Sequence, residues 1–141
     1  MEKEKRILIA DVDDDLLTRL AVLFKEKGYE TTTAWGGREA LEQLSSGDFD
    51  IILLSDYLPD VASAELWRAI RHLTRKPAIA LMQGAEPGAE ITQDYLDQGG
   101  QCILRRESPD LVVESLHKCL NTGNEYSLNS PESTLDCCSK H

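Results

Sequence analysis

Short apolar runs alternate with amphipathic stretches along most of the chain. Arg6–Ala10 (RILIA) is nearly continuous in aliphatic residues, as expected of a strand covered on both faces. Asp13, Asp14 and Asp15 follow it and can cap and charge a helix N-terminus. Leu16, Leu20, Leu23 and Phe24 then recur at helical spacing, and Gly28 is placed to stop that helix. Glu30–Ala34 (ETTTA) is β-branched and predicts a second strand nearer the sheet edge, with Gly36-Gly37 as the turn after it. Arg38–Ser46 predicts a short helix with Leu41 and Leu44 inward. Asp50–Ser55 (DIILLS) is the strongest strand signal, closed by the loop Leu58-Pro59-Asp60.

The second half repeats the alternation. Ser63 is placed to cap a third helix that buries Leu66, Ile70 and Leu73, with Trp67 partly buried. Pro77–Met82 (PAIALM) predicts a fourth strand. Glu86-Pro87-Gly88 opens a helix that runs to about Gln98 and ends at Gly99-Gly100. Gln101–Leu104 (QCIL) predicts a short fifth strand. Ser108-Pro109 starts the last helix, with Val112, Leu116, Cys119 and Leu120 along one side. Five strand–helix units in one order predict an α/β domain with a parallel sheet over residues 1–121. Residues 122–141 are polar and aperiodic, and read as a disordered tail.

Composition adds exclusions. A formal net charge of −10 argues against a nucleic-acid surface and favours binding faces selective for basic or apolar partners. No run approaches a membrane span, and MEKEKR has no apolar stretch behind its charges, so a cytoplasmic location is expected. Of the four cysteines, Cys102 and Cys119 fall inside predicted core elements. Cys137, Cys138 and His141 make a weak metal candidate in the tail.

The stretches GYETTTAWGGREAL (28–41), DFDIILLSDYLPD (48–60) and PAIALM (77–82), with the Gly99-Gly100 pair, resemble the response-regulator receiver domain in order and spacing. The resemblance covers Arg6 to Leu120, about four fifths of the chain. It implies a CheY-like, flavodoxin-like sheet of order 2-1-3-4-5 with five helices on its two faces, and a site at the carboxyl ends of the strands. It also implies a Mg²⁺-assisted phosphorylation site: an acid pair after strand 1, an acceptor aspartate ending strand 3, a hydroxyl ending strand 4 and a lysine after strand 5.

Several of those positions depart from the family pattern. Asp11 stands at the first acid, but the second falls on Val12, which cannot ligate a cation. Asp13, next along, is read mainly as a helix cap; Asp11 and Asp13 are weak metal candidates. The acceptor position, four residues before Pro59, falls on Ser55. An acyl phosphate needs a carboxylate nucleophile, which a serine is not. Asp56 is adjacent, and strand alternation directs it roughly away from Ser55. The hydroxyl position falls on Met82, the lysine on Arg106 and the switching aromatic on Ile103; Glu107 stands for a proline and Ser63 for a glycine.

These departures together imply a pseudo-receiver that is not an enzyme, needs no cofactor, and binds proteins without phosphorylation. Opposite charges at neighbouring strand ends motivate an Asp11–Arg106 ion pair in place of metal and phosphate. The family implies a histidine kinase or an output protein of a bacterial two-component phosphorelay as partner, on the strand 4 to helix 5 face, and a monomer or weak homodimer. Two alternatives remain open: a phosphorylatable receiver using Asp56 with Mg²⁺, and a flavodoxin-like domain that binds or hydrolyses a small molecule. Whether the chain is a whole protein or a piece of a longer regulator is open as well.

Overall fold

The apolar runs become five parallel strands. The structure, a computed structural model, describes residues 4–84 and 90–120. The elements in chain order are β1 (Arg6–Asp11), α1 (Asp14–Glu26), β2 (Glu30–Trp35), α2 (Gly36–Ser46), β3 (Ile51–Ser55), α3 (Ser63–Arg71), β4 (Ala78–Gln83), α4 (Glu90–Asp97), β5 (Ile103–Arg105) and α5 (Pro109–Leu120). The sheet order is β2-β1-β3-β4-β5, as the resemblance implied. The register places Ile9 beside Leu53, Leu54 beside Leu81, Ser55 beside Met82, and Met82 beside Leu104.

Alternation along the central strands splits the core in two. Ile7, Ile9, Ile51, Leu53, Ala80 and Met82 pack with α1 and α5 through Leu20, Phe24, Val112 and Leu116. Leu8, Ala10, Ile52, Leu54 and Leu81 pack on the other face with Leu44, Leu66, Trp67, Ile91 and Tyr95. Because both faces are covered, β1 and β3 need apolar side chains at every position rather than every second one. Each fully buried Leu or Ile contributes about 1.5–3 kcal/mol of transfer free energy.

Several boundaries differ from the sequence expectation. α2 begins at Gly36, inside the expected turn, and buries Ala40 and Leu44 while Leu41 is only half-buried. A side chain at Gly37 would lie 2.4 Å from the Val61 side chain, so the approach of the β3–α3 loop requires glycine there. Ser63 does not cap α3. It is the first helical residue, and its hydroxyl donates to Asp94 Oδ2 at 2.6 Å, bridging to α4. Leu73 lies beyond the end of α3 and is half-buried, and Trp67 is fully rather than partly buried, stacked on Tyr95 at 5.8 Å.

β5 starts two residues later than expected, because the Tyr95 hydroxyl takes the Cys102 N–H at 3.0 Å and donates to the Ile79 carbonyl at 2.8 Å. The Tyr95 ring also fills the space where Gly100 would carry a Cβ, 2.4 Å away. Cys102 and Cys119 are buried, as expected. The opening Glu86-Pro87-Gly88, the tail 122–141 and the Cys137, Cys138, His141 group lie outside the described residues. Among the described residues, no helix is long and apolar enough to cross a membrane.

Candidate functional site

Parallel strands bring all their carboxyl ends to one edge, where β1 delivers Asp11, β3 delivers Ser55, β4 delivers Met82 and the β5–α5 turn delivers Arg106. Asp11 is completely buried. Its Oδ1 accepts the N–H of Val12 at 2.7 Å and of Asp13 at 3.1 Å. The guanidinium of Arg106 grips both oxygens, Nη2 on Oδ1 at 2.8 Å and Nε on Oδ2 at 2.9 Å. This is the planar fork that lysine cannot make. The Arg106 backbone N–H is itself fixed on the Gln83 carbonyl at 3.1 Å. The hydrogen bond to Asp11 raises the Arg106 pKa against the pull of desolvation, so the guanidinium stays charged.

Asp13 does two things here. Its Oδ1 caps α1 by accepting the Leu16 N–H at 3.1 Å, and its Oδ2 lies 3.6 Å from Arg106 Nη2. Val12 is half-buried and packs toward the core between the sheet and α2–α4, offering no ligand atom. Ile103 is half-buried against the same core. Met82 is fully buried in the opposite layer and presents no donor to the site.

Ser55 is fully buried, and its hydroxyl is used within its own loop. It accepts the Tyr57 N–H at 3.0 Å and donates to the Tyr57 carbonyl at 3.4 Å. Asp56 sits in a bend where β3 has already ended, so strand alternation no longer governs it. Its backbone N–H donates to the Met82 carbonyl at 2.9 Å, and its Oδ1 accepts a long bond of 3.4 Å from the Gly84 N–H. Its Oδ2 is buried without a hydrogen-bond partner. Burial raises the Asp56 pKa above the ordinary carboxylate value. The Gly84 N–H and the Arg106 charge oppose that rise, and the Asp11 charge adds to it.

The Mg²⁺ that the fold family implies does not fit these residues. Both oxygens of Asp11 are taken, the second acid position is an aliphatic side chain, and a guanidinium occupies the place a cation would need. Among the described residues no group of three or more His, Cys, Asp or Glu side chains is arranged to hold a metal.

Sequence reasoning missed two contributors. Gly84 supplies an N–H to Asp56, and only the end of a strand pattern marked it. Asp60 clamps the start of α2, accepting the Gly37 N–H at 2.8 Å and the Arg38 N–H at 3.0 Å. Read from sequence, Asp60 only closed a loop, because a cap supplied from more than twenty residues away leaves no local pattern.

Comparison with known proteins agrees with this fold. The family model described as the response regulator receiver domain matches residues 7–120. A putative transcriptional regulator of Haloferax volcanii is 27% identical over 94% of this chain and 23% of its own length. The regulatory protein AtoC of Escherichia coli is 27% identical over 94% of this chain and 33% of its own length. A CAI-1 autoinducer sensor kinase/phosphatase of Vibrio cholerae is 35% identical over 49% of this chain and 10% of its own length. The chain thus spans between a tenth and a third of these curated relatives. Among solved structures, the chemotaxis response regulator CheY4 of Vibrio cholerae superposes with a TM-score of 0.69 at 23% identity, covering 82% of this chain and 98% of that one. A two-component response regulator from Clostridium difficile gives 0.65 at 27% identity, covering 84% and 99%.

Proposed function

The chain belongs to the response regulator receiver domain family, and on that premise we propose that it is a pseudo-receiver: a signalling module that binds its partner without being phosphorylated. Receiver domains of two-component systems exchange signals with kinases and output proteins, and this chain keeps their fold. One observation carries the proposal. The Arg106 guanidinium is held on both oxygens of Asp11 and so neutralises the carboxylate that a metal ion would need. Ser55 at the acceptor position, with its hydroxyl turned onto Tyr57, supports it further. Under this proposal the resting conformation is fixed by an internal cation. The chain, a cytoplasmic monomer or weak homodimer, meets its partner, a kinase or an output protein, with its β4 to α5 side.

A second function is kept by one specific feature. Asp56 is a carboxyl next to the acceptor position with one oxygen free of hydrogen bonds. Its burial works against this role, because desolvation disfavours the charged carboxylate that would attack. Intact mass after incubation with Mg²⁺ and acetyl phosphate separates the two. The pseudo-receiver gains no phosphoryl group. An acid-stable adduct on Ser55, or a labile one on Asp56, would sink the proposal and return the chain to phosphorelay chemistry.

A further inference from the structure

The edge of the sheet opposite the Asp11–Arg106 site has a different character. No acidic residue occurs between Glu65 and Glu86, and that stretch contains Arg68, Arg71, His72, Arg75 and Lys76. All five are exposed, on the end of α3 and the loop that leads into β4. In a chain of net charge −10, carboxylates are abundant and most arginines find one. Arg6, Arg19, Arg38, Arg75, Arg105 and Arg106 are all ion-paired. Arg68, Arg71 and Lys76 have no carboxylate partner among the described residues. Lys76 instead donates to the Arg71 carbonyl, and Arg71 to the Gln98 side chain at 3.4 Å.

Beside this patch lies a cleft between the ends of α2 and α3, lined by Leu44, Phe49, Leu73, His72, Arg75 and Arg6 among others. Leu44, Phe49 and Leu73 form the apolar part of its lining, His72 and Arg75 stand at its mouth, and Asp48 and Ser45 add polar groups. Arg6 is not available to a ligand in the same way, because its guanidinium lies over the Phe49 ring at 5.2 Å and donates to the Asp48 carbonyl at 2.8 Å.

We propose that this basic patch and the cleft beside it form a second docking surface, which takes a short acidic segment of a partner protein with an apolar side chain seated over Leu44, Phe49 and Leu73. Charge complementarity selects the occupant: Arg68, Arg71 and Lys76 cluster without a carboxylate partner among the described residues of an acidic chain, and beyond a Debye length of ~8 Å the rest of the acidic surface is screened. A short segment fits better than a large acidic domain, which would meet the repulsion of the whole chain. Nucleic acid fits less well, since the patch is short and among the described residues no second basic stripe extends it. The surface lies at the amino ends of the strands, so it is independent of whether the carboxyl edge is phosphorylated.

The test uses the full chain and a fluorescent eight-residue peptide of alternating Glu and Leu, read by anisotropy. Arg68→Glu with Arg71→Glu is expected to weaken binding roughly tenfold, while Lys25→Glu with Lys118→Glu, an equal change of net charge elsewhere, leaves it unchanged. Binding is also expected to weaken as salt rises. Equal losses in both double variants, or no binding of the peptide at low salt, would overturn the proposal. Tighter binding of a single-stranded oligonucleotide of the same charge would overturn the choice of a protein segment. Self-association in sedimentation that disappears in the Arg68→Glu, Arg71→Glu variant would replace the partner with a second copy of the chain.

Discussion

Asp11 with Arg106 at the carboxyl edge and Asp50 with Arg75 at the amino edge join the same two residue types, and burial separates them. Asp11 is fully buried and the Arg106 side chain is 28% exposed, whereas Asp50 and Arg75 are 19% and 57% exposed. Removing half of a buried pair leaves a charge with neither water nor partner. Removing half of an exposed pair leaves the remaining group within reach of water. The first pair therefore constrains what the carboxyl edge can bind, while the second leaves its surroundings free to meet another molecule.

Arg106→Ala tests that difference most severely. It strips Oδ2 of Asp11 of its one hydrogen bond among the described residues but leaves the Val12 and Asp13 N–H groups on Oδ1. The expected loss is about 3 kcal/mol, the low end for a broken buried pair, measured by urea unfolding at neutral pH. An unchanged midpoint would show that the pair does not hold the site closed.

Asp56→Asn should act in the opposite direction. The folded-state pKa of Asp56 is raised, so the folded chain binds the proton more tightly than the unfolded chain. Stability therefore falls as pH rises from the ordinary carboxylate value through the folded value. The amide removes that loss, and a gain of about 1 kcal/mol is expected above the folded pKa. The gain should shrink toward zero in acid, where both side chains are neutral. A difference that stays flat with pH would mean that burial does not control this carboxyl.

The sheet order and the apolar strands were legible because burial on both faces writes itself as continuous Ile and Leu in RILIA and DIILL. The placement of Val12, Ser55, Met82 and Arg106 at the carboxyl edge followed from the receiver resemblance, by counting from Pro59 and the strand ends. The forked geometry on Asp11 was only suggested by opposite charges. Less visible was anything set by contacts distant in sequence. Ser63 resembled a local cap but bonds Asp94 across to α4. The start of β5 is displaced by one tyrosine hydroxyl. Asp56 follows a bend that the strand period cannot describe. The basic patch was hidden beneath the net charge, which averages over the surface and predicts faces suited to basic or apolar partners.

Asp60→Ala isolates one of these distant contacts. Its carboxylate accepts two N–H groups at the start of α2, and its loss should cost about 1 kcal/mol, as for a helix cap. Burial works against ionisation of Asp60, but the Arg38 and Gly37 N–H groups outweigh it and hold its pKa below the ordinary value. This contribution is present above the unfolded pKa and disappears as pH falls through the folded one. Unfolding of the two chains should accordingly converge in strong acid and separate at neutral pH.

Arg75→Ala completes the comparison from the weak side. Asp50 keeps a second partner when the guanidinium goes, because its Oδ2 accepts the Arg6 backbone N–H at 2.7 Å. Burial pushes Asp50 toward its neutral form, yet the Arg6 N–H, the hydrogen bond and charge of Arg75, and the charge of Lys5 hold its pKa low. The acid sensitivity tied to Asp50 should therefore survive the substitution in reduced form. The expected cost is no more than about 0.5 kcal/mol, and it should vanish in high salt. A cost near that of Arg106→Ala would mean that exposure does not decide the strength of the two pairs, and that Arg75 is held too firmly at the amino edge to turn toward a partner.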